Sequence, residues 1–244
     1  MSDNVEKNER RLDKRILIIY LLSFVVLQVV ALTATLLIPD MQEDAVLFAR
    51  VLSILNLLWY GGLTVILFKV ARIYLFKNQW IYFTQDIPRS IGLVAIGFGA
   101  VLAANAIINV TLMQMGLDVD PENQAALEGL LEGGPIAIAA LILFAGIFAP
   151  IVEELVFRKG LWDIIERFAG LVGAIVLNSL AFGLIHILAD LGTDSMAWVN
   201  MIPYFAMGLM ISLIYYFSGK IIFVPIFVHI VYNMFALLAI FLIF

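Results

Sequence analysis

Seven long apolar runs cross this chain, at 16–38, 51–70, 91–115, 136–152, 171–188, 198–217 and 221–244, and Lys69 is the one Asp, Glu, Lys or Arg inside them. A helix needs roughly 20 apolar residues to traverse the hydrocarbon core of a bilayer. Lipid offers no partners for open backbone groups, so such runs are satisfied as helices. The runs are continuous rather than alternating, which argues against a transmembrane β-barrel. The expected fold is therefore all-α: a polytopic bundle of about seven membrane-spanning helices. Composition agrees, with 64% hydrophobic and 14% charged residues against about 45–50% and about 25% in soluble domains. Residues 16–244 read as one transmembrane domain, and the polar stretch 1–15 as a disordered cytoplasmic tail. The absence of cysteine removes disulfides, thiolate metal sites and a cysteine nucleophile together. The first run is too long for the apolar region of a signal peptide. Membrane lipid is the expected surrounding, and no nucleic-acid partner is expected.

Orientation follows from Lys and Arg in the connecting segments. The N-terminal stretch holds Lys7, Arg10, Arg11, Lys14 and Arg15; the second connection has Arg72, Lys77 and Arg89, the fourth Arg158, Lys159 and Arg167, and the sixth Lys220. The alternate connections carry none, and Arg50 alone breaks the pattern. The N-terminus is thus expected in the cytoplasm and the C-terminus outside. An acidic outer loop, with room for a short helix, is expected over 118–132. Segments 73–80 and 161–168 mix aromatic and charged residues, as interfacial segments do.

Ionisable groups inside apolar helices cost at least about 2.5–3.5 kcal/mol at a helix centre, so each needs a reason. Glu153-Glu154-Leu-Val-Phe-Arg158 ends the fourth run. Glu154 and Arg158 are four apart and share a helix face, so they can pair. Glu153 points about 100° away and has no equal claim on that partner. Taken alone, the motif reads equally well as an interfacial charge cluster. Phe182-Gly-Leu-Ile-His186 lies in the fifth run and His229-Ile-Val-Tyr-Asn233 in the seventh. They contain the two histidines of the chain. Asn233 could orient His229, or both could face one ligand. If the chain turns near Gly170, Glu153 precedes the turn by 17 residues and His186 follows it by 16. In an antiparallel hairpin the two then sit at equal height. This requires the fourth helix to continue through Phe168; a flat interfacial segment would separate them.

The ordered triple, Glu-Glu-x-x-x-Arg, Phe-x-x-x-His and His-x-x-x-Asn on successive membrane helices, resembles the CPBP family. These are the CAAX-prenyl-protease and bacteriocin-processing intramembrane endopeptidases, also called the Abi family. The resemblance covers 136–244. It implies peptide-bond hydrolysis of a membrane-associated peptide or protein. Glu153 and His186 would activate water, His229 and Asn233 would stabilise the oxyanion, and Glu154, Arg158 and Phe182 would support them. Residence in a bacterial plasma membrane is the matching location. No cofactor is expected on this reading. A zinc-dependent version would use Glu153, His186 and His229 as ligands, although no His-Glu-x-x-His is present. Two further readings are a membrane regulator or immunity protein that only binds, and a small transporter using the same residues as a proton relay. The latter lacks the usual inverted repeat. Depth along the helices suggests a shared cavity opening toward the cytoplasmic half, with His229 roughly 12 Å from the inner side.

A reporter fused after Lys220 is expected to read cytoplasmic, and one after Phe244 external. The opposite pair of readings would remove this orientation.

Overall fold

A computed structural model of the protein describes residues 2–37, 44–117, 129–188, 191, 192, 194 and 196–243. The described residues are helical without strands. In chain order the α-helices are α1 (Ser2–Leu37), α2 (Ala45–Val70), α3 (Trp80–Gln85), α4 (Ile87–Gln114), α5 (Gly134–Leu143), α6 (Ala149–Glu154), α7 (Trp162–His186), α8 (Ala197–Phe217) and α9 (Phe223–Ile243). π-Helical turns at Ile73–Gln79, Phe144–Phe148 and Leu155–Leu161 join neighbouring α-helices. Of the outer loop expected over 118–132, residues 118–128 lie outside the described residues.

Among the described residues six helices are long and apolar enough to cross a membrane. The difference from the seven runs has one cause. Runs 136–152 and 171–188 fall in the single 53-residue stretch Gly134–His186. That stretch is broken at Gly170, with φ 68° and ψ −173°, a region open essentially to glycine alone. The chain reverses there. Phe157 packs edge-on against Phe182 at 5.2 Å between ring centroids, and Arg158 meets Asn178. Neither pair could touch across a straight helix rising 1.5 Å per residue. The segment 161–168, for which the sequence allowed either a flat interfacial segment or a continuation of the fourth helix, is helical up to the turn.

The stretch 1–15, expected as a disordered tail, is helical from Ser2 onward. The sequence shows only polarity there, but Asp13 is 1% exposed. It pairs with Lys159 at 3.2 Å and Arg167 at 2.5 Å. These two cations from the hairpin hold Asp13, in the polar part of α1. Lys220 meets Glu166 at 2.5 Å, and Gln79 accepts a hydrogen bond from the Ile222 amide. Together these contacts gather the start of α1, the hairpin tip and the turn before α9 at one end of the bundle, which is the end rich in Lys and Arg.

Small residues let α7 and α8 approach closely. An added Cβ on Gly208 would sit 3.2 Å from Phe182 and Ser179, and one on Gly183 would sit 3.0 Å from Met201. Ser179 and Ser212 bring their hydroxyls to 3.2 Å. Helix association in lipid depends on such close packing and interhelical hydrogen bonds.

Replacing Gly170 with Ala is expected to cost about 1–3 kcal/mol, because the turn needs a conformation that a Cβ disfavours. A thermal melt in detergent checks this. An unchanged midpoint would mean the chain does not depend on that turn.

Candidate active site

Pro150 sets the local geometry of the first motif. It has no N–H to donate. The preceding turn is π-helical, and the Ala149 amide donates to the Phe144 carbonyl. The Ala145 carbonyl would look to residue 150 for its π-helical donor and finds none. The Asn233 side-chain amide takes that role, donating to it at 2.8 Å. π-Turns are frequent at functional sites, and here two of them bracket Ala149–Glu154.

Arg158 is fully buried beside Glu154, with the ion pair at 3.2 Å. A buried cation needs more than one partner to offset its desolvation. Arg158 also donates to Asn178 Oδ1 at 2.5 Å and to the Gly208 carbonyl at 3.3 Å. Its guanidinium lies 5.6 Å from the Phe182 ring centroid. Asn178 in turn donates to the Phe157 carbonyl at 2.6 Å. Phe182 thus supports both Arg158 and His186, whose ring lies 4.5 Å away. The sequence reading missed Asn178 and Gly208. Asn178, a polar residue inside an apolar run, was the available signal.

Glu154 has a second partner. Its Oε1 lies 2.9 Å from His229 Nδ1. A carboxylate held by an arginine accepts only, so the proton belongs on Nδ1 of His229. It is Glu154, on a neighbouring helix, that orients His229. Asn233, one turn along α9, is occupied with Ala145. The spacing left open whether Asn233 orients His229 or faces a ligand beside it; its contact is with the carbonyl freed by Pro150.

Glu153 is left over, as the spacing suggested. Its Oε2 is buried without a hydrogen-bond partner. It lies 3.8 Å from His186 Nε2 and 3.8 Å from His229 Nε2. Those separations are too long for direct hydrogen bonds, yet one oxygen could reach both partners of either pair. His186 is positioned by Nδ1, 2.7 Å from the Phe182 carbonyl. A carbonyl only accepts, so Nδ1 carries hydrogen and, in the neutral ring, Nε2 presents a lone pair toward Glu153. Tyr204 stacks on the same ring at 4.5 Å. Among the described residues no group of three His, Asp or Glu has the arrangement of a metal site.

Glu153, His186, His229 and Asn233 line one cavity of about 450 Å³. Asn105 and Asn109 of α4, Tyr204 of α8, and Tyr232 and Ile240 of α9 line it too. The cavity extends from the level of Glu153 and His229 toward the end of the bundle poor in Lys and Arg. Asn109 lies near the Gln114 end of α4 and Ile240 near the Ile243 end of α9. This corrects the expected opening toward the Lys/Arg-rich half. Depth along single helices placed the reacting groups, but the other end is filled by Arg158, Trp162 and their neighbours, all buried.

Comparison with known proteins adds sequence relatives. Residues 135–235 match the family described as type II CAAX prenyl endopeptidase Rce1-like. YdiL of Bacillus subtilis (strain 168), whose name describes it as a membrane peptidase, is 29% identical over 123 residues, 50% of this chain and 45% of that protein. The membrane-embedded CAAX protease MroQ of Staphylococcus aureus (strain USA300) is 28% identical over 152 residues, 59% of this chain and 55% of that protein. The chain thus spans about half the length of these relatives. No solved structure matches it.

Glu154→Ala is expected to destabilise the fold by about 3–5 kcal/mol, because it strands a buried cation. Adding Arg158→Met should recover much of that loss. Thermal melts of the single and double variants test this, and equal losses would show that Arg158 does not depend on Glu154.

Proposed function

We propose that this chain, whose residues 135–235 match the Rce1-like CAAX prenyl endopeptidase family, is an intramembrane endopeptidase acting on a membrane-associated peptide or protein. The observation that carries this reading is the unpartnered Glu153 carboxylate, equidistant from two imidazoles in a cavity within the bundle.

In this mechanism a water binds between Glu153 Oε2 and His186 Nε2. Glu153 takes one proton, His186 Nε2 accepts a hydrogen bond from the other hydrogen, and the oxygen attacks the scissile carbonyl carbon with its free lone pair. General acid–base assistance of this kind contributes about 10²–10⁴-fold. The carbonyl oxygen becomes an oxyanion. His229 in its doubly protonated form, between Glu154 and Glu153, donates to it from Nε2. Asn233 donates with the Nδ2 hydrogen not used on Ala145. Such donors act strongly where water is scarce. Glu153 then passes its proton to the leaving nitrogen, so the hydroxyl ends on the new carboxyl group and the hydrogen on the new amine.

The relatives that match are bacterial, which supports residence in a bacterial plasma membrane. The name of one of them supports a CAAX-type substrate.

Mass spectrometry of peptides released from membranes holding either wild type or Glu153→Gln tests the reading. Cleavage products should fall by about 10²–10⁴-fold with protein levels unchanged; a fully active Glu153→Gln protein would end the glutamate mechanism. Strong chelators should leave the purified protein active. Stoichiometric zinc whose removal abolishes activity, and whose return restores it, would instead make Glu153, His186 and His229 ligands. If Glu153→Gln keeps its biological effect without any change in released peptides, the protein acts by binding.

A further inference from the structure

Asn105 lies mid-way along α4, 8% exposed, and lines the same cavity as Glu153. Its Nδ2 donates to the Tyr232 hydroxyl at 2.6 Å. Its Oδ1 has no hydrogen-bond partner. Within a membrane-embedded bundle an unmatched acceptor is costly, since no lipid group can satisfy it. Tyr232 also lines the cavity. Its oxygen accepts from Asn105, which leaves its hydroxyl hydrogen to donate elsewhere. Together the two side chains hold out one acceptor and one donor. Turning the Asn105 amide over exchanges the two roles and preserves the offer. A peptide group, with one N–H and one C=O, is the complement of such a pair.

We propose that Asn105 and Tyr232 form a clamp for one peptide group of an extended substrate segment, beside the bond that is cut. The inference rests on the endopeptidase reading and names the part of the substrate that the cavity recognises. Tyr232 is three residues beyond His229 on α9, an axial step of about 4.5 Å. An extended chain advances about 3.3 Å per residue. The clamped group therefore lies one or two residues from the scissile bond, toward the Lys/Arg-poor end of the bundle. Among the described residues Glu153 is the one acid in the cavity lining, which contains no Lys or Arg. Beyond the reacting groups the lining is aromatic, aliphatic and amide, so an uncharged segment fits the part of the cavity at Asn105 and Tyr232. A pair that only joined α4 to α9 would explain the 2.6 Å contact but not the buried acceptor left without a partner in a residue of the cavity wall.

The test uses the full-length Glu153→Gln protein in nanodiscs, so that binding is read apart from cleavage. The probe is a fluorescent, acetylated and amidated decapeptide of Leu, Ala and Ser, with a set of analogues N-methylated at each peptide bond in turn. Adding Asn105→Leu should weaken anisotropy-detected binding of the parent peptide about tenfold, the size of one lost hydrogen bond and its stranded partner. One N-methyl position should cost about the same with Asn105 present and nothing in the Asn105→Leu variant. Tyr232→Phe, which removes only a hydroxyl, should shift binding in the same direction while its thermal midpoint stays near that of the parent. Undetectable binding with Asn105 intact, binding undiminished by Asn105→Leu, or N-methyl losses indifferent to that substitution would each overturn the clamp. The catalytic reading is judged separately, by whether the wild-type protein cuts the same peptide. Binding with the expected pattern but without cleavage removes the mechanism and leaves the clamp; cleavage without the pattern removes the clamp alone.

Discussion

The fully buried guanidinium of Arg158 is the charge around which the rest of the bundle is arranged. A cation without water must be surrounded by acceptors, and these come from three directions: Glu154 one turn back, Asn178 across the hairpin, and the Gly208 carbonyl of α8. Asn178 and Gly208 each fix one helix against another. Gly208 can approach only because it has no Cβ. Glu154 spends its remaining oxygen on His229 and so ties in α9. The consequence for chemistry is indirect but strict. With Glu154 committed to Arg158 and His229, the neighbouring carboxylate of Glu153 points about 100° away around the helix and its Oε2 has no hydrogen-bond partner.

The core of this arrangement was legible in the sequence because helix geometry is periodic. A four-residue interval allowed Glu154 to pair with Arg158, and nearly equal distances from Gly170 allowed Glu153 to meet His186 on condition that the fourth helix ran on to a turn there. The structure has the turn at Gly170 and both pairs, at 3.2 Å and 3.8 Å. What spacing could not supply were the partners fixed by long-range packing. Asn178 looked like one polar residue in an apolar run until the hairpin placed it on Arg158. The role of Asn233 depended on a carbonyl freed by Pro150, which requires knowing that the preceding turn is π-helical. The helical start of α1 was hidden because its polarity matches a disordered tail, while its partners, Lys159 and Arg167, are distant in sequence. The count of spans differed for a related reason: two apolar runs belong to one helical stretch folded at a glycine.

The two ends of the bundle are unequal. Lys and Arg collect at the hairpin tip and at the start of α1, where Trp162 and Arg158 close the interior. The cavity lies on the other side of Glu153, lined by aromatic rings and neutral amides. On the orientation set by the positive-inside rule, that is the outer half of the membrane. The same polarity shelters the Glu153 carboxylate and still leaves it facing the cavity, as the proposed mechanism requires. The charged end anchors the scaffold, and the neutral end leaves room for an uncharged chain whose backbone needs hydrogen-bond partners.

Chemical rescue by formate tests most directly the claim that Glu153 is a free carboxylate acting from within the cavity. Glu153→Ala removes the group and leaves a space in the cavity wall that a small carboxylate fits. Added formate is expected to restore peptide cleavage in a saturable manner, with no such effect on His186→Ala, where the missing group is an imidazole. Cleavage by Glu153→Ala at the wild-type rate without formate would contradict the account, because the carboxylate would then have no part in the reaction.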